Sequence, residues 1–375
     1  MKKSHIDWCP VIPDHWEEKR IKDIAFLQSG NSITAMDIAE EGKYPVYGGN
    51  GLRGYTNNYT NDGDYVLIGR QGALCGNINY AYGKFYATEH AVVVYTKNEE
   101  ITYWLGETLK AANLNRLSMT AAQPGLAVST LNIQFIPYPP RKERIRIANY
   151  LAEKCTEIDT QVSLLTSKRD AYLRLKKSII NHVVTHGLNP NVKMKDSGIE
   201  WIGEVPEHWE VKRMKDICDY ISRGSTPDYV DEDYQKVMNQ GTFSKGWIDE
   251  SNIRYTKVGK SGAHIKKGDL LMASTGGGVL GKILYFDSID ENYYADSHVT
   301  IMRNSKGINS MKFLFYHFSL RFDEINATMT KGSTNQTELQ RYELLSHKVA
   351  IPPLPEQHAI ATYLDDKCAK IDTIL

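Results

Sequence analysis

Short, nearly continuous apolar runs set between glycine-rich turns dominate residues 17 to about 135. Tyr65-Val66-Leu67-Ile68 and Ala91-Val92-Val93-Val94-Tyr95 are β-branched and aromatic, and Gly48-Gly49, Asn50-Gly51 and Asp62-Gly63 punctuate the segment. That pattern predicts strands joined by tight turns. One helix is expected over Ile101 to Leu117. Residues 210 to about 348 repeat the plan: Asp269-Leu270-Leu271-Met272 and His298-Val299-Thr300-Ile301-Met302 read as strands, and Met311 to Asn326 as the matching helix. Each region is a mixed, mostly β globule.

The texture changes after Pro137-Tyr138-Pro139-Pro140. From Arg141 to His186 there is neither proline nor glycine, and Leu151, Ile158, Leu165, Tyr172 and Ile179 recur every seventh position. Cys155, Val162 and Val183 fall four residues after members of that series, which makes a heptad seam. Arg169 and Lys176 interrupt the second series, so one antiparallel partner helix is expected rather than a long regular coiled coil. At the α-helical rise such a segment spans roughly 65 Å, and Gly187, Asn189 and Pro190 end it. A second helix begins after Ile351-Pro352-Pro353-Leu354-Pro355-Glu356-Gln357, with Leu364, Cys368, Ile371 and Leu375 at equivalent positions. Leu375 corresponds to Val162, so residues 163–186 have no counterpart in the second copy. The expected organisation is a first globule over 1–140, a spacer helix over 141–187, a second globule over 188–353 and a shortened second helix over 354–375. The fold class is α+β, two tandem mostly-β domains each followed by a helix.

The two globules share a written frame. Ile6-Asp7-Trp8 and Pro13-Asp14-His15-Trp16-Glu17 return as Ile199-Glu200-Trp201 and Pro206-Glu207-His208-Trp209-Glu210, and Lys19-Arg20-Ile21-Lys22-Asp23-Ile24 returns as Lys212-Arg213-Met214-Lys215-Asp216-Ile217, at a constant offset of 193 residues. Later, Tyr150-Leu151, Lys154-Cys155 and Ile158-Asp159-Thr160 return as Tyr363-Leu364, Lys367-Cys368 and Ile371-Asp372-Thr373, at an offset of 213. Between these anchors only short echoes survive: Gly63-Asp64 with Gly268-Asp269, Gly72 and Gly76 with Gly277 and Gly281, Tyr86-Ala87 and His90 with Tyr294-Ala295 and His298. Two frames with different contents suggest one job done on two different targets. The period is domain-sized, unlike that of a solenoid.

Composition narrows the classes. The 375 residues carry no formal net charge, so a nucleic-acid site must be a local patch rather than a global field. Five cysteines without C-x-x-C spacing fit reduced thiols better than a disulfide frame or zinc site. The N-terminal residues have no apolar h-region and no stretch approaches 18 apolar residues, so a cytoplasmic protein without membrane partners is expected.

Tandem variable globules, each followed by a proline-rich entry into an Ile-Ala-x-Tyr-Leu-type helix, resemble the specificity subunit of type I restriction-modification enzymes. The Pro-x-His-Trp entry, the Ile351-to-Asp365 stretch and Lys331-Gly332-Ser333-Thr334-Asn335-Gln336 carry the likeness, which covers essentially the whole chain. The resemblance implies that each globule is a target recognition domain reading one half of a bipartite, asymmetric site in double-stranded DNA. It implies that the helices pair antiparallel to set the half-site spacing and dock two methyltransferase subunits, which restriction (motor-nuclease) subunits then join. It implies no catalytic activity and no cofactor in the subunit itself. The chain departs from the pattern in two places: Arg141-Lys142-Glu143-Arg144 stands where the second copy has Leu354-Pro355-Glu356-Gln357, and the end of the second helix is missing.

The candidates for DNA contact lie in loops. Arg70, Gln71 and Asn77 sit in Gly69-Arg70-Gln71-Gly72-Ala73-Leu74-Cys75-Gly76-Asn77, where glycines allow close approach and the polar side chains suit base edges. Solvated residues of a Gly-rich turn are the plainer reading. Thr275 and Lys282 occupy the partner segment Ser274-to-Lys282, which nearly spells a phosphate-binding loop, but Ile283 stands where a magnesium-binding hydroxyl is needed, so nucleotide binding is rejected. Asn50, Arg53, Gln123, Arg223, Lys245, Ser333, Thr334 and Gln336 are weaker candidates. Phosphate contacts position without specifying. Leu151, Ile158, Val162, Leu165, Tyr172, Ile179, Leu364 and Ile371 are expected at helix or subunit contacts. His90 and His298, without neighbouring ligands, read as packed structural histidines rather than a metal or catalytic site. Trp16 and Trp209 read as core anchors. An adenine methyltransferase needs an Asp/Asn-Pro-Pro-aromatic loop, which neither Asn189-Pro190-Asn191 nor Tyr138-Pro139-Pro140-Arg141 supplies. Against the DNA-reading expectation stands a duplicated protein- or carbohydrate-binding module, which the 23 tyrosines permit.

Overall fold

The computed structural model describes residues 1–97, 101–118, 125–200, 202–231, 235–257, 263–290, 292–332 and 337–375. The chain divides into two compact units, Met1–Ser163 and Leu164–Leu375, and the boundary falls within one helix, Arg141–His186. Among the described residues no helix is long and apolar enough to cross a membrane.

Each unit is built on the same four-stranded antiparallel sheet. In the first the order is Ala25–Ser29, Ala91–Thr96, Tyr65–Gly69, Ile78–Ala81; in the second it is Tyr220–Arg223, Val299–Arg303, Leu270–Ala273, Ile283–Tyr285. The apolar runs are continuous rather than alternating because both faces of this sheet are covered. Side chains at successive positions point to opposite faces, and the cores follow that parity. Val66, Ile68, Val92 and Val94 face one core with Trp104, Leu105 and Leu109 of the helix Thr102–Ala111. Leu67 and Val93 face another with Ala81, Phe85 and Ala87. The second unit divides likewise: Leu270, Met272 and Met302 join Phe313 and Leu314 of the helix Met311–Ser319, while Leu271, Ala273, Val299 and Ile301 pack with Phe243 and Phe286.

A second four-stranded sheet covers the far face in both units. Its shared element is a parallel pair, Tyr44–Gly48 with Lys84–Ala87 and Gln235–Met238 with Tyr293–Ala295. The fourth strand differs: Asn61–Asp62 joins Lys84–Ala87 in the first unit, whereas Tyr229–Val230 joins Arg254–Thr256 in the second. The frame is common and the edge is not.

Both helices on the main sheet end sooner than their apolar pattern predicts. In the first unit Asn113 adopts φ +46°, and the chain continues as a 3-10 turn over Leu114–Leu117. Asparagine tolerates the left-handed conformation better than other side chains, and it ends the helix there. In the second unit Arg321 leaves helical geometry, splitting the span into Met311–Ser319 and Phe322–Thr328.

The entry and exit of each unit are fastened to one another. Glu17–Arg20, directly after the His-Trp pair, pairs antiparallel with Phe135–Tyr138, directly before the long helix; Glu210–Arg213 pairs with Lys348–Ile351 in the same way. Above these ladders a carboxylate in the first turn of each helix receives the pair itself. Trp16 Nε1 donates to Glu143 Oε2 at 2.9 Å and His15 Nε2 lies 2.7 Å from Oε1. Trp209 Nε1 donates to Glu356 Oε1 at 3.2 Å and His208 Nε2 lies 2.7 Å from Oε2. The Trp16 N–H, then His15, hold the Glu143 carboxyl below its ordinary range, and a negative charge in a first helical turn is favoured by the helix dipole. Trp209 is fully buried, as an anchor should be, but Trp16 is half-buried.

Within the second unit, Ile180, Val183 and Val184 of the long helix share a core with Ile360, Leu364 and Cys368 of the helix Leu354–Ile374. Further along, Lys176 Nζ meets Asp372 at 2.6 Å. Deeper in that unit His317 and His347 lie buried with their Nε2 atoms 3.3 Å apart. Burial, followed by the neighbouring His347, drives His317 well below its ordinary value, and burial takes His347 from 6.5 to about 4.

Two outcomes follow for stability. Glu356→Ala removes the acceptor of a fully buried indole N–H, which costs about 1–3 kcal/mol and lowers the urea midpoint of the second unit; an unchanged midpoint would show the contact to be dispensable. The histidine pair is neutral when folded, so protonation favours the unfolded chain. Stability of the second unit is full above pH 6.5 and falls as pH drops from there towards about 4. Differential scanning calorimetry between pH 7.5 and 4.5 should show this loss diminished in a His317→Phe, His347→Gln double variant.

Candidate nucleic-acid interface

The loop following the central strand is closed identically in both units. In the first, Gly69 N donates to Asn77 O and Gly76 N to Gly69 O, at 2.9 and 2.7 Å; in the second, Ala273 N donates to Lys282 O and Gly281 N to Ala273 O, at 2.8 and 2.9 Å. The base of each loop is then tied to two neighbours. Arg70 N donates to His90 O and Leu126 N to Arg70 O; Ser274 N donates to His298 O and Leu339 N to Ser274 O. Gln71 bridges Gly125, and Thr275 bridges Glu338. The repeated histidines therefore hold the loop through their main chains. Their rings are not packed as the sequence suggests: His90 is half-buried and His298 exposed, with His298 Nδ1 2.7 Å from Thr275 Oγ1.

Close backbone approach explains the glycines. A Cβ on Gly69 would lie 2.0 Å from Gly49 O, so the turn of the hairpin formed by Tyr44–Gly48 and Gly51–Thr56 lies against the base of the Arg70 loop. Asn77 Nδ2 donates to Asn50 Oδ1 at 3.0 Å, and Arg70 Nη1 to Ser29 Oγ at 3.3 Å. Asn50, Arg53, Arg70, Gln71 and Asn77 are thus gathered at one end of the first unit, a group of amides and guanidinium ions able to contact phosphates and base edges.

The second unit uses other side chains on the same plan. Arg223 lies at the position of Ser29 and is spent internally, on Leu339 O at 3.2 Å, Ser274 O at 3.5 Å and Glu338 Oε2 at 3.5 Å. Lys282 lies 5.3 Å over the Phe322 ring. With Lys245 it lines a cavity of about 260 Å³ walled by Phe315 and Phe318. Lys245 is 2.8 Å from Asp249, whose carboxyl it holds down at about 2. Gln123, Ser333, Thr334 and Gln336 lie outside the described residues.

Reading residues singly overlooked Glu338 and the glycines Gly30 and Gly224. A Cβ on Gly30 would meet Ala87 O at 2.1 Å, and one on Gly224 would meet Ala295 O at 2.0 Å. The signal was present, since Gly30 follows Lys19-Arg20 as Gly224 follows Lys212-Arg213 at nearly the same interval.

Of the residues expected at helix contacts, Leu364 and Ile371 are buried and Ile179 packs against the second unit's core. Leu151 and Tyr172 are half-buried, and Ile158, Val162 and Leu165 are 57, 56 and 63 % exposed. Burial falls on Val183, a member of the second series, and on Ile180 and Val184, which lie outside the seam. A strict seven-residue stripe drifts about 20° per heptad around a straight helix, so one flat contact cannot include all of it.

Comparison with known proteins agrees with this arrangement. The family described as "Type I restriction modification DNA specificity domain" matches residues 13–163 and 206–374, and the chain belongs to that family. It is 41 % identical over 157 residues to the type I restriction enzyme EcoprrI specificity subunit of Escherichia coli, covering 40 % of this chain and 39 % of that one. It is 27 % identical over 380 residues to a putative type I restriction enzyme specificity subunit of Haemophilus influenzae, covering 97 % of this chain and 88 % of that one. A chain solved in work on complex assembly and conformational transition of the type I R-M system superposes with a TM-score of 0.71 at 15 % identity, over 97 % of this chain and 93 % of that one. The HsdS subunit from Thermoanaerobacter tengcongensis gives 0.52 at 14 % identity, over 97 % and 91 %. Both relatives compared by sequence are named as type I restriction enzyme specificity subunits, in line with a chain that supplies recognition rather than catalysis.

Gly30→Ala and Gly224→Ala force a side-chain carbon onto a carbonyl oxygen and are expected to cost about 1–3 kcal/mol each. Circular dichroism melts should show both destabilised, whereas Gly72→Ser, with nothing within 4 Å of its Cβ position, carries only the cost of its positive φ. Equal behaviour of the three would remove close approach as the cause.

Proposed function

We propose that this chain is the DNA sequence-recognition subunit of a type I restriction-modification complex. Each globule reads one half of a bipartite asymmetric site through the loops around Arg70 and Thr275. The observation that carries this reading is a common frame, with the same main-sheet strand order and loop closure, that places different side chains at matching loop positions: half-buried Arg70 and exposed Gln71 in one unit, buried Ser274 and half-buried Thr275 in the other. Two readers of one design with unlike contents suit a site whose halves differ in sequence.

In this reading the helices are the assembly surface. The second helix pairs antiparallel with the end of the first as a short coiled coil, a pairing supported by Val183 and Val184 beside Leu364 and by Lys176 beside Asp372. Two methyltransferase subunits dock there, restriction subunits join them, and the complex acts in the cytoplasm. The relatives whose names say specificity subunit lend this its weight.

Methylome sequencing of cells that express the chain with its neighbouring modification subunit tests the proposal. A bipartite methylated motif is expected. Methylation without sequence preference, or none when both proteins are present and associated, would overturn it.

A further inference from the structure

The histidine that precedes the strands Ala91–Thr96 and Val299–Arg303 serves the recognition loop through its carbonyl in both units, yet its ring is placed differently in the two. In the first unit the ring is half-buried, with His90 Nε2 3.4 Å from Glu89 Oε1. In the second, Ser297 stands in place of Glu89 and His298 is exposed. Three contacts hold it there. Its main-chain N donates to Asp296 Oδ1 at 2.8 Å, its carbonyl accepts from Ser274 N at 2.8 Å, and its Nδ1 lies 2.7 Å from Thr275 Oγ1. Thr275 is itself fastened by its bridge to Glu338. Among the described residues Nδ1 is the one hydrogen-bond partner of the Thr275 hydroxyl, and His298 Nε2 has none.

That arrangement fixes what the free nitrogen offers. A threonine hydroxyl has one proton to donate, and a neutral imidazole has one donor and one acceptor nitrogen. With Nδ1 accepting from the hydroxyl, the ring proton sits on Nε2, so the exposed edge of His298 is a donor whose direction is set by its own backbone and by Thr275. A doubly protonated ring donates from Nε2 as well. A side chain held this way is already in position before DNA arrives, as a reading residue must be. Resting on the DNA-reading role above, we infer that His298 is a specificity-determining residue of the second unit, its Nε2–H donating to guanine O6 or N7 in the major groove of the second half-site. Guanine presents acceptors alone along that edge, whereas adenine sets an amino donor beside N7, thymine a methyl group beside O4, and cytosine presents a donor. A wrong base therefore leaves the imidazole N–H crowded or unpaired, and this is how the residue discriminates. His90, turned to Glu89, offers no such donor, so the requirement belongs to one half-site.

The test compares wild type with His298→Ala, His298→Gln, His298→Asn and Thr275→Val, each assembled with the modification subunit. Methylome motifs and competition binding of duplexes varied at every position of the site are measured. The amide nitrogen of glutamine falls near the place of Nε2, and that of asparagine near the place of Nδ1. His298→Ala is expected to reduce discrimination for guanine at one position of one half-site by about tenfold. His298→Gln should restore part of that discrimination and His298→Asn none of it. Thr275→Val releases the ring to take either tautomer and is expected to weaken discrimination at the same position. The other half-site stays as in wild type. Unchanged preference at every position with His298→Ala, or a change confined to a position that is not guanine, overturns the inference and leaves the DNA-reading role intact. Equal weakening on all duplexes overturns it too: with a reduced salt dependence it marks a phosphate contact, and without one a structural role. Absence of any motif with the wild-type chain defeats the DNA-reading role itself, and the inference with it.

Discussion

A glutamate in the first turn of a helix, held by the His-Trp pair that opens the same globule, closes each half of this protein. Glu143 takes Trp16 and His15, and Glu356 takes Trp209 and His208. Residues more than a hundred positions apart are brought into one hydrogen-bonded group. The strand pairings beneath it bind the chain on both sides of the globule. Loops inside such a closed frame can vary without loosening the ends, and that freedom is what a recognition module requires. The same carboxylate lies at the start of the helix, so closing the globule also fixes where the helix departs from it.

Above that base the main sheet divides each globule into two cores, and the parity of strand residues decides which side chain enters which. The arrangement places all the loop closures at one end of the sheet, where backbone atoms approach closely enough that glycine is required at Gly30, Gly69 and Gly224. The scaffold residues are apolar or glycine and the presented residues are polar. Arg223 shows how the presented set is used differently in the two halves. Its guanidinium satisfies two carbonyls and a carboxylate within its own unit, whereas Arg70 of the first unit, among the described residues, bonds the Ser29 hydroxyl.

Much of the frame was legible in the chain. The strand runs, the helix without proline or glycine from Arg141 to His186 and the duplicated Pro-x-His-Trp entry are local signals; the first two appear as elements and the third as the turn leading into Glu17–Arg20 and Glu210–Arg213. Helix ends were less legible, because Asn113 and Arg321 stop their helices through single backbone conformations that an apolar count does not register. The candidate site was legible as loops but not as a group. Asn50 and Asn77 are distant in sequence and touch, while Lys245 and Lys282 share a cavity away from Arg223. Glu338 was overlooked because it joins the group through a strand-like bridge to Thr275 and an ion pair with Arg223, both remote in sequence.

What the amino-acid sequence determined by itself is the duplication, the class of each element and the family to which the frame belongs, since periodicity and repeated motifs are properties of order along the chain. What only the tertiary structure decided is which polar groups face one another, which are consumed internally and which are left without a partner. Hydrogen bonds depend on distances of a few tenths of an ångström between residues remote in order, and a linear pattern carries no such distances. The heptad series shows the limit most plainly. Its spacing marks Val162 and Val183 as equivalent, yet one is 56 % exposed and the other 5 %, because burial depends on what stands opposite.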